Sequence, residues 1–129
     1  MPRASDSTRE HHGVVAVVED DVSLNQALIR QLQAAGFRTC SFKSGKEVLV
    51  TRGRIADCFV LDVHLPDMSG FELLRQLGTT VPLVVITAHD DPMHRRAANE
   101  AGAIAYLTKP FAREVLLDAV KRAIVGKTK

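Results

Sequence analysis

Five short apolar runs, each stopped by polar residues and each followed by a stretch with helical spacing, constrain this chain more than any other feature. The runs are Val14 to Val18, Phe37 to Phe42, Cys58 to Leu61, Pro82 to Ile86 and Ile104 to Leu107. Apolar runs of this length bounded by turn signals read as strands buried on both faces, the kind found in parallel sheets. Between them, Leu24, Ala27, Leu28, Leu32 and Ala35 recur at three- and four-residue spacing, with Gly36 as a C-terminal cap. Ser44 can cap a second helix carrying Val48 and Leu49, which Arg52-Gly53-Arg54 ends, and Ser69 with Glu72 makes a capping box for a third, through Leu77. Asp90 or Asp91 opens a fourth with Pro92 in its first turn and Gly102 after its end. Ala112, Leu116, Ala119, Val120 and Ala123 stripe the fifth, with Val115 and Ile124 at the edges. Five strand–helix alternations predict an α/β fold, a three-layer (βα)5 sandwich with a parallel five-stranded sheet and helices on both faces. Periodicity does not fix the order of the strands.

In a parallel sheet all strands end on the same side, so Glu19, Asp20, Asp62, Thr87 and Lys109 are expected along one edge. The crevice outside that edge is where open α/β sheets bind ligands. The stretch Phe59 to Gly70 is the focus: its apolar run stops at Asp62 and then turns through Pro66 and Gly70. Taken alone, Asp62 reads equally well as a loop aspartate that caps a turn. Taken with the others it does not. Carboxylates held together are costly unless a cation neutralises them, and an all-oxygen donor set suits Mg²⁺ or Mn²⁺. Such a metal can carry a phosphoryl group, with Lys109 as a point charge and Thr87 as a hydroxyl donor. The sum is a phosphate-handling site.

At 129 residues, 46% of them apolar and 25% charged, the chain has the size and mixture of one globular domain. No apolar run approaches the roughly 18 residues that span a bilayer, and residues 1–12 are polar and lack the apolar stretch of a signal peptide. A soluble cytoplasmic protein without a membrane partner is expected. Seventeen basic residues against 15 acidic ones give a net charge of +2, too little for a nucleic-acid footprint, so no direct nucleic-acid contact is expected. Residues 1–12 are expected to be a flexible tail in which His11-His12 is too small a set to hold metal, residues 13–125 the domain, and residues 126–129 a tail or the start of a linker. Cys40 and Cys58 lack metal-ligand spacing and read as structural thiols.

Four motifs stand at the predicted strand ends: VVEDD, LDVHLPDMSG, VVITAH and AYLTKPF. Together they resemble the receiver domains of two-component response regulators, over about residues 13–125. The resemblance implies a flavodoxin-like strand order of 2-1-3-4-5. It implies that Asp62 is the phosphoacceptor, that Glu19 and Asp20 hold Mg²⁺ or Mn²⁺ directly or through water, and that Asp62 and the His64 backbone carbonyl complete the ligands. Thr87 and Lys109 would contact the phosphoryl group, and Lys109-Pro110 would be a cis peptide. The donor would be a sensor histidine kinase or a histidine phosphotransfer protein. The domain would be a switch, not an enzyme, catalysing only its own phosphorylation and dephosphorylation. On phosphorylation Thr87 would shift and Tyr106 turn inward, altering the face made by the fourth helix, fifth strand and fifth helix, through which a homodimer can form. The motif wording resembles receivers that precede helix-turn-helix domains, which points to transcription regulation.

Several details qualify that resemblance. Many members have Asp where this chain has Glu19, whose longer arm makes direct ligation less sure than for Asp20. Asp21 reads as a helix cap, not a ligand. His64 and His89 stand two residues after Asp62 and Thr87, positions that tune phosphoryl hydrolysis, where an imidazole can orient or screen the attacking water. The fourth helix offers only Met93, Ala97, Ala98 and Ala101 for burial, which marks it as a moving part. With strand one between them, Cys40 and Cys58 would lie about 10 Å apart and stay reduced. A second reading is a Mg²⁺-dependent aspartate-nucleophile phosphatase of the haloacid dehalogenase type, which usually has a second Asp where His64 stands. A third, a dinucleotide or flavin binder, lacks a G-x-G-x-x-G after the first strand.

Overall fold

The structure is a computed structural model and describes residues 13–51, 56–78 and 80–128. The strands are β1 (Val14–Val18), β2 (Arg38–Phe42), β3 (Cys58–Asp62), β4 (Leu83–Thr87) and β5 (Ala105–Thr108). The helices are α1 (Val22–Ala34), α2 (Gly45–Thr51), α3 (Gly70–Leu77), α4 (Pro92–Glu100) and α5 (Arg113–Thr128). All strand pairs are parallel and the sheet runs β2-β1-β3-β4-β5, the order that the resemblance implied.

The period of two along a strand sorts the apolar side chains into two layers. Val15, Val17, Val60, Val84 and Ile86 point to one face, where Leu28 and Leu32 of α1 and Leu116, Ala119 and Val120 of α5 cover them. Ala16, Val18, Phe59, Leu61 and Val85 point to the other, under Val48 of α2, Leu73 of α3 and Ala98 of α4. This double cover is why β3 and β4 are apolar at nearly every position and buried throughout. A fully buried Leu or Phe contributes roughly 2–3 kcal/mol by leaving water, so the two layers dominate the stability.

The helix starts follow the expected chemistry. Asp21 accepts from the Leu24 N–H at 3.1 Å, Ser44 Oγ from Glu47 at 3.2 Å and Ser69 Oγ from Glu72 at 3.0 Å. Asp91, not Asp90, caps α4, accepting from the Met93 N–H at 2.7 Å with Pro92 following. The capping box is only half formed, because the Glu72 carboxylate turns along its own helix to Arg75 and Gln76. Gly36 takes φ +97°, open to glycine without strain, where the chain leaves α1 for β2.

Four expectations need correction. Phe37 is buried core but precedes the strand, which starts at Arg38. Ala112 is exposed and lies before α5. The last helix continues through Thr128, so residues 126–128 are helix, not tail. Gly126 costs only about 1 kcal/mol in a helix, which Lys127 and Thr128 continue. Met93 is 74% exposed, leaving Ala98 as the buried residue of α4, which is more lightly anchored than its sequence predicts. The expectations for residues 1–12, for Arg52-Gly53-Arg54 and for Lys129 lie outside the described residues.

The cysteines sit as expected: Cys40 pairs with Ala16 and Cys58 with Val15 across opposite edges of β1, and both are free thiols. Burial, with the Asp57 carboxylate adding to it, pushes the Cys58 thiol up to about 12. Among the described residues no helix is long and apolar enough to cross a membrane.

Candidate functional site

Strand register brings the chemistry together. Val18 lies beside Leu61, Asp62 beside Ile86 and Thr87 beside Thr108. Glu19 follows the last residue of β1, Asp62 and Thr87 end β3 and β4, and Lys109 follows β5. These four residues, with Asp20 next to Glu19, are spread over 91 positions of sequence and share one edge of the sheet.

Carboxylate oxygens of Glu19, Asp20 and Asp62 lie within 4.8 Å of one another. Glu19 and Asp62 are buried and Asp20 faces solvent. The Lys109 ammonium is 2.7 Å from Glu19 Oε1 and 3.5 Å from Asp62 Oδ2. Burial pushes the Glu19 carboxyl above its ordinary range, and the Asp62 carboxylate adds to this, outweighing the hydrogen bonds from Lys109 and the Asp21 N–H. Burial works against the Lys109 ammonium, but its hydrogen bond to Glu19 and the Asp62 charge outweigh that and raise its pKa. A group of three carboxylates with one ammonium leaves negative charge uncompensated in a partly buried place. That observation and the all-oxygen donor set fit Mg²⁺ or Mn²⁺.

The other expected residues fall around this group. The His64 N–H donates to Asp62 Oδ1 at 3.3 Å. Thr87 is fully buried, and its hydroxyl donates to the His89 carbonyl at 3.2 Å and accepts from the His89 N–H at 3.1 Å. Lys109-Pro110 is cis, as implied. The imidazoles of His64 and His89 meet edge-on with centroids 5.6 Å apart, and His64 meets His94 in the same way at 5.0 Å. Tyr106 lies on the α4 side of the sheet with its hydroxyl buried.

Sequence reasoning missed three supports. Asn25 is buried in α1 and donates from Nδ2 to the carbonyls of Glu19 at 2.9 Å and Phe42 at 3.1 Å, while Oδ1 accepts from Ser41 Oγ at 2.7 Å. It ties the ends of β1 and β2 together and thereby fixes the start of the acidic pair. A signal was present: Asn25 falls in line with Leu28 and Leu32 on the apolar stripe of α1. Asp67 accepts from the N–H groups of Gly45 at 3.0 Å and Lys46 at 2.9 Å, pinning the loop after Asp62 to the start of α2. Desolvation is the largest single influence and opposes its charge, but those backbone donors, with the Lys46 charge, together outweigh it and hold its carboxyl below the ordinary range. His94 joins the imidazole group from α4, and nothing in its sequence context marks it. Asn25→Ala is expected to cost about 2 kcal/mol, because two buried carbonyls lose their donor. Urea denaturation measures this, and an unchanged midpoint would remove Asn25 from the site's support.

The model of the family described as response regulator receiver domain matches residues 15–121. The chain belongs to that family. It is a receiver domain of a two-component response regulator, and that membership displaces the phosphatase and dinucleotide readings. Nodulation protein W of Bradyrhizobium diazoefficiens is 40% identical over 115 residues, covering 85% of this chain and 50% of that protein. The DNA-binding transcriptional regulator NtrC of Salmonella typhimurium is 36% identical over 116 residues, 87% of this chain and 25% of that protein. A solved DrrB receiver domain, activated by BeF3, superposes with a TM-score of 0.77 at 34% identity, covering 88% of this receiver domain and 97% of that chain. This receiver domain thus spans half the length or less of these curated relatives. With a DNA-binding regulator among them, the expectation of no nucleic-acid contact has no support. Receiver domains bind Mg²⁺ at an acidic pocket, and Glu19, Asp20 and Asp62 form such a pocket here.

Proposed function

We propose that Asp62 is the phosphoacceptor of this receiver domain, taking its phosphoryl group from a sensor histidine kinase or a histidine phosphotransfer protein. The observation that carries the reading is the Asp62 carboxylate itself, held at the end of β3 between an acidic pair and an ammonium. Glu19, Asp20, Asp62 and the His64 backbone carbonyl would hold Mg²⁺ or Mn²⁺, which supplies charge neutralisation for the phosphoryl oxygens. An Asp62 oxygen attacks the phosphorus in line, a P–O bond forms as the P–N bond of phosphohistidine breaks, and the departing imidazole takes its proton from water. Lys109, now on Glu19, turns to a phosphoryl oxygen. Thr87 exchanges the His89 backbone for another. Water later hydrolyses the acyl phosphate, with the His64 and His89 imidazoles orienting or screening it.

The switch follows from Thr87. Its hydroxyl holds the backbone of the loop that leads into α4, so drawing it to a phosphoryl group disturbs that loop, Tyr106 and the α4-β5-α5 face, through which two copies pair. The intact regulator is a cytoplasmic one that controls transcription, the role named for the NtrC relative.

Adding beryllofluoride with Mg²⁺ is expected to shift the amide resonances of residues 62–64, 87–91 and α4, and EDTA to reverse the shifts. Spectra that do not respond would overturn the reading. His64→Ala and His89→Ala are each expected to change the dephosphorylation rate several-fold, followed on phosphate-affinity gels. Rates equal to the parent's would confine both imidazoles to the surface.

A further inference from the structure

Tyr106 is held in an unusual way. Its hydroxyl is buried and has no hydrogen-bond partner among the described residues, a position that is unfavourable unless something keeps the ring there. Arg95 of α4 does: its guanidinium carbon lies 4.6 Å from the ring centroid. The guanidinium is fixed in turn by Asp90, whose two carboxylate oxygens accept from Arg95 Nη2 at 3.0 and 2.9 Å. An exposed ion pair alone holds little. Here one planar group joins a carboxylate to an aromatic face, so ordering it once serves both contacts. Beside it, between α4 and β5, a cavity of about 530 Å³ walled by Pro92, Ala103 and Ile104 leaves the ring room to swing away.

We infer that Asp90 and Arg95 are positioning residues that clamp Tyr106 inward before any phosphoryl group arrives. Asp90 follows His89, whose N–H and carbonyl both bond the Thr87 hydroxyl, so the clamp is continuous with the edge of the site: Thr87, the His89 backbone, Asp90, Arg95, Tyr106. With the ring already inward, less rearrangement remains for phosphorylation to drive, and affinity for a phosphoryl mimic is raised by the fraction of molecules so prepared. The link to phosphorylation rests on the switch reading above. The clamp does not.

The chain has one tyrosine and no tryptophan, so its tyrosine fluorescence reports Tyr106 alone. A neutral collisional quencher, acrylamide, makes the reading insensitive to the charge that is removed. Arg95→Ala and Asp90→Asn are each expected to raise the quenching constant about 2- to 3-fold, and Arg96→Ala, one residue along α4, to leave it at the parent value. Asp90→Asn lies outside α4, so a rise there does not come from an altered helix. Quenching unchanged in both variants, or raised as much by Arg96→Ala, overturns the clamp. Beryllofluoride affinity in Arg95→Ala is expected to fall roughly 3-fold, and raised quenching with unchanged affinity overturns the link to the switch. Asp62→Asn, which tests the phosphoacceptor instead, leaves the quenching constant as it was.

Discussion

Asp62→Asn is expected to leave a folded protein that accepts no phosphoryl group and binds no beryllofluoride. Asparagine keeps the shape of a side chain that is only 4% exposed, so the β3 end has no reason to move. What disappears is the carboxylate proposed as nucleophile and the negative charge that faces Lys109 at 3.5 Å. Lys109 retains its closer partner Glu19 at 2.7 Å, and two carboxylates lose a like-charged neighbour. The denaturation midpoint is therefore expected at or above the parent's while acceptance from acetyl phosphate or a kinase is lost outright. Fluorine NMR of bound beryllofluoride reads one quantity and urea denaturation the other. Undiminished beryllofluoride binding by this variant would sink the assignment of Asp62.

Gly70→Ala should produce the largest loss of stability of any single methyl added near the site. A Cβ at Gly70 meets the Asp62 backbone oxygen at 2.6 Å and Leu61 Cγ at 3.1 Å. Neither neighbour gives way cheaply: one is backbone in a central strand, the other a leucine 1% exposed. Gly70 itself is pinned, its N–H donating to Val63 O at 2.8 Å as α3 begins. Forced overpacking of this kind costs about 3 kcal/mol, the upper part of the usual range, which lowers Tm by roughly 10 °C in a domain of this size. Because the clashing atom belongs to Asp62, mimic binding weakens as well. Gly45→Ala is the control, since the three atoms nearest its Cβ all belong to the Met68 side chain, which is flexible, and none to the backbone. Scanning calorimetry of both variants decides, and equal Tm values would show that the Gly70 contact relaxes freely.

The parts of this molecule legible in its sequence are those whose cause is local. Val14 to Val18 and Phe59 to Leu61 announce strands buried on both faces because every position is apolar, and Asp21, Ser69 and the pair Asp90-Asp91 announce helix starts because a cap bonds two or three residues away, though only the structure picks Asp91 of the pair. Glu19, Asp20, Asp62, Thr87 and Lys109 could be gathered because parallel strands end on one side. The apolar stripe of α1 marks Asn25 as buried, but its partner Phe42 and the Asp67 partner Gly45 lie 17 and 22 residues off, and only packing brings them near. Glu72 shows the opposite failure, a local motif whose carboxylate found Arg75 and Gln76 instead. The pairing of Lys109 with Glu19 is likewise a fact of three dimensions, set by a long acidic arm folded over a strand end.

The two apolar layers described above share no residue, and the sheet divides them. On one side α1 and α5 close over Val15, Val60 and Ile86, while on the other α2, α3 and α4 close over Phe59, Leu61 and Val85, with Tyr106 at that layer's margin. Such a partition lets one half serve as a chassis. If phosphorylation draws the Thr87 loop away as proposed, the α4 side has to repack around it while the α1–α5 side keeps the strands, and with them the acidic pair, in place. Damage to Leu28 or Leu116 then weakens the whole molecule without biasing its shape, whereas damage at Ala98 or Tyr106 biases the shape first.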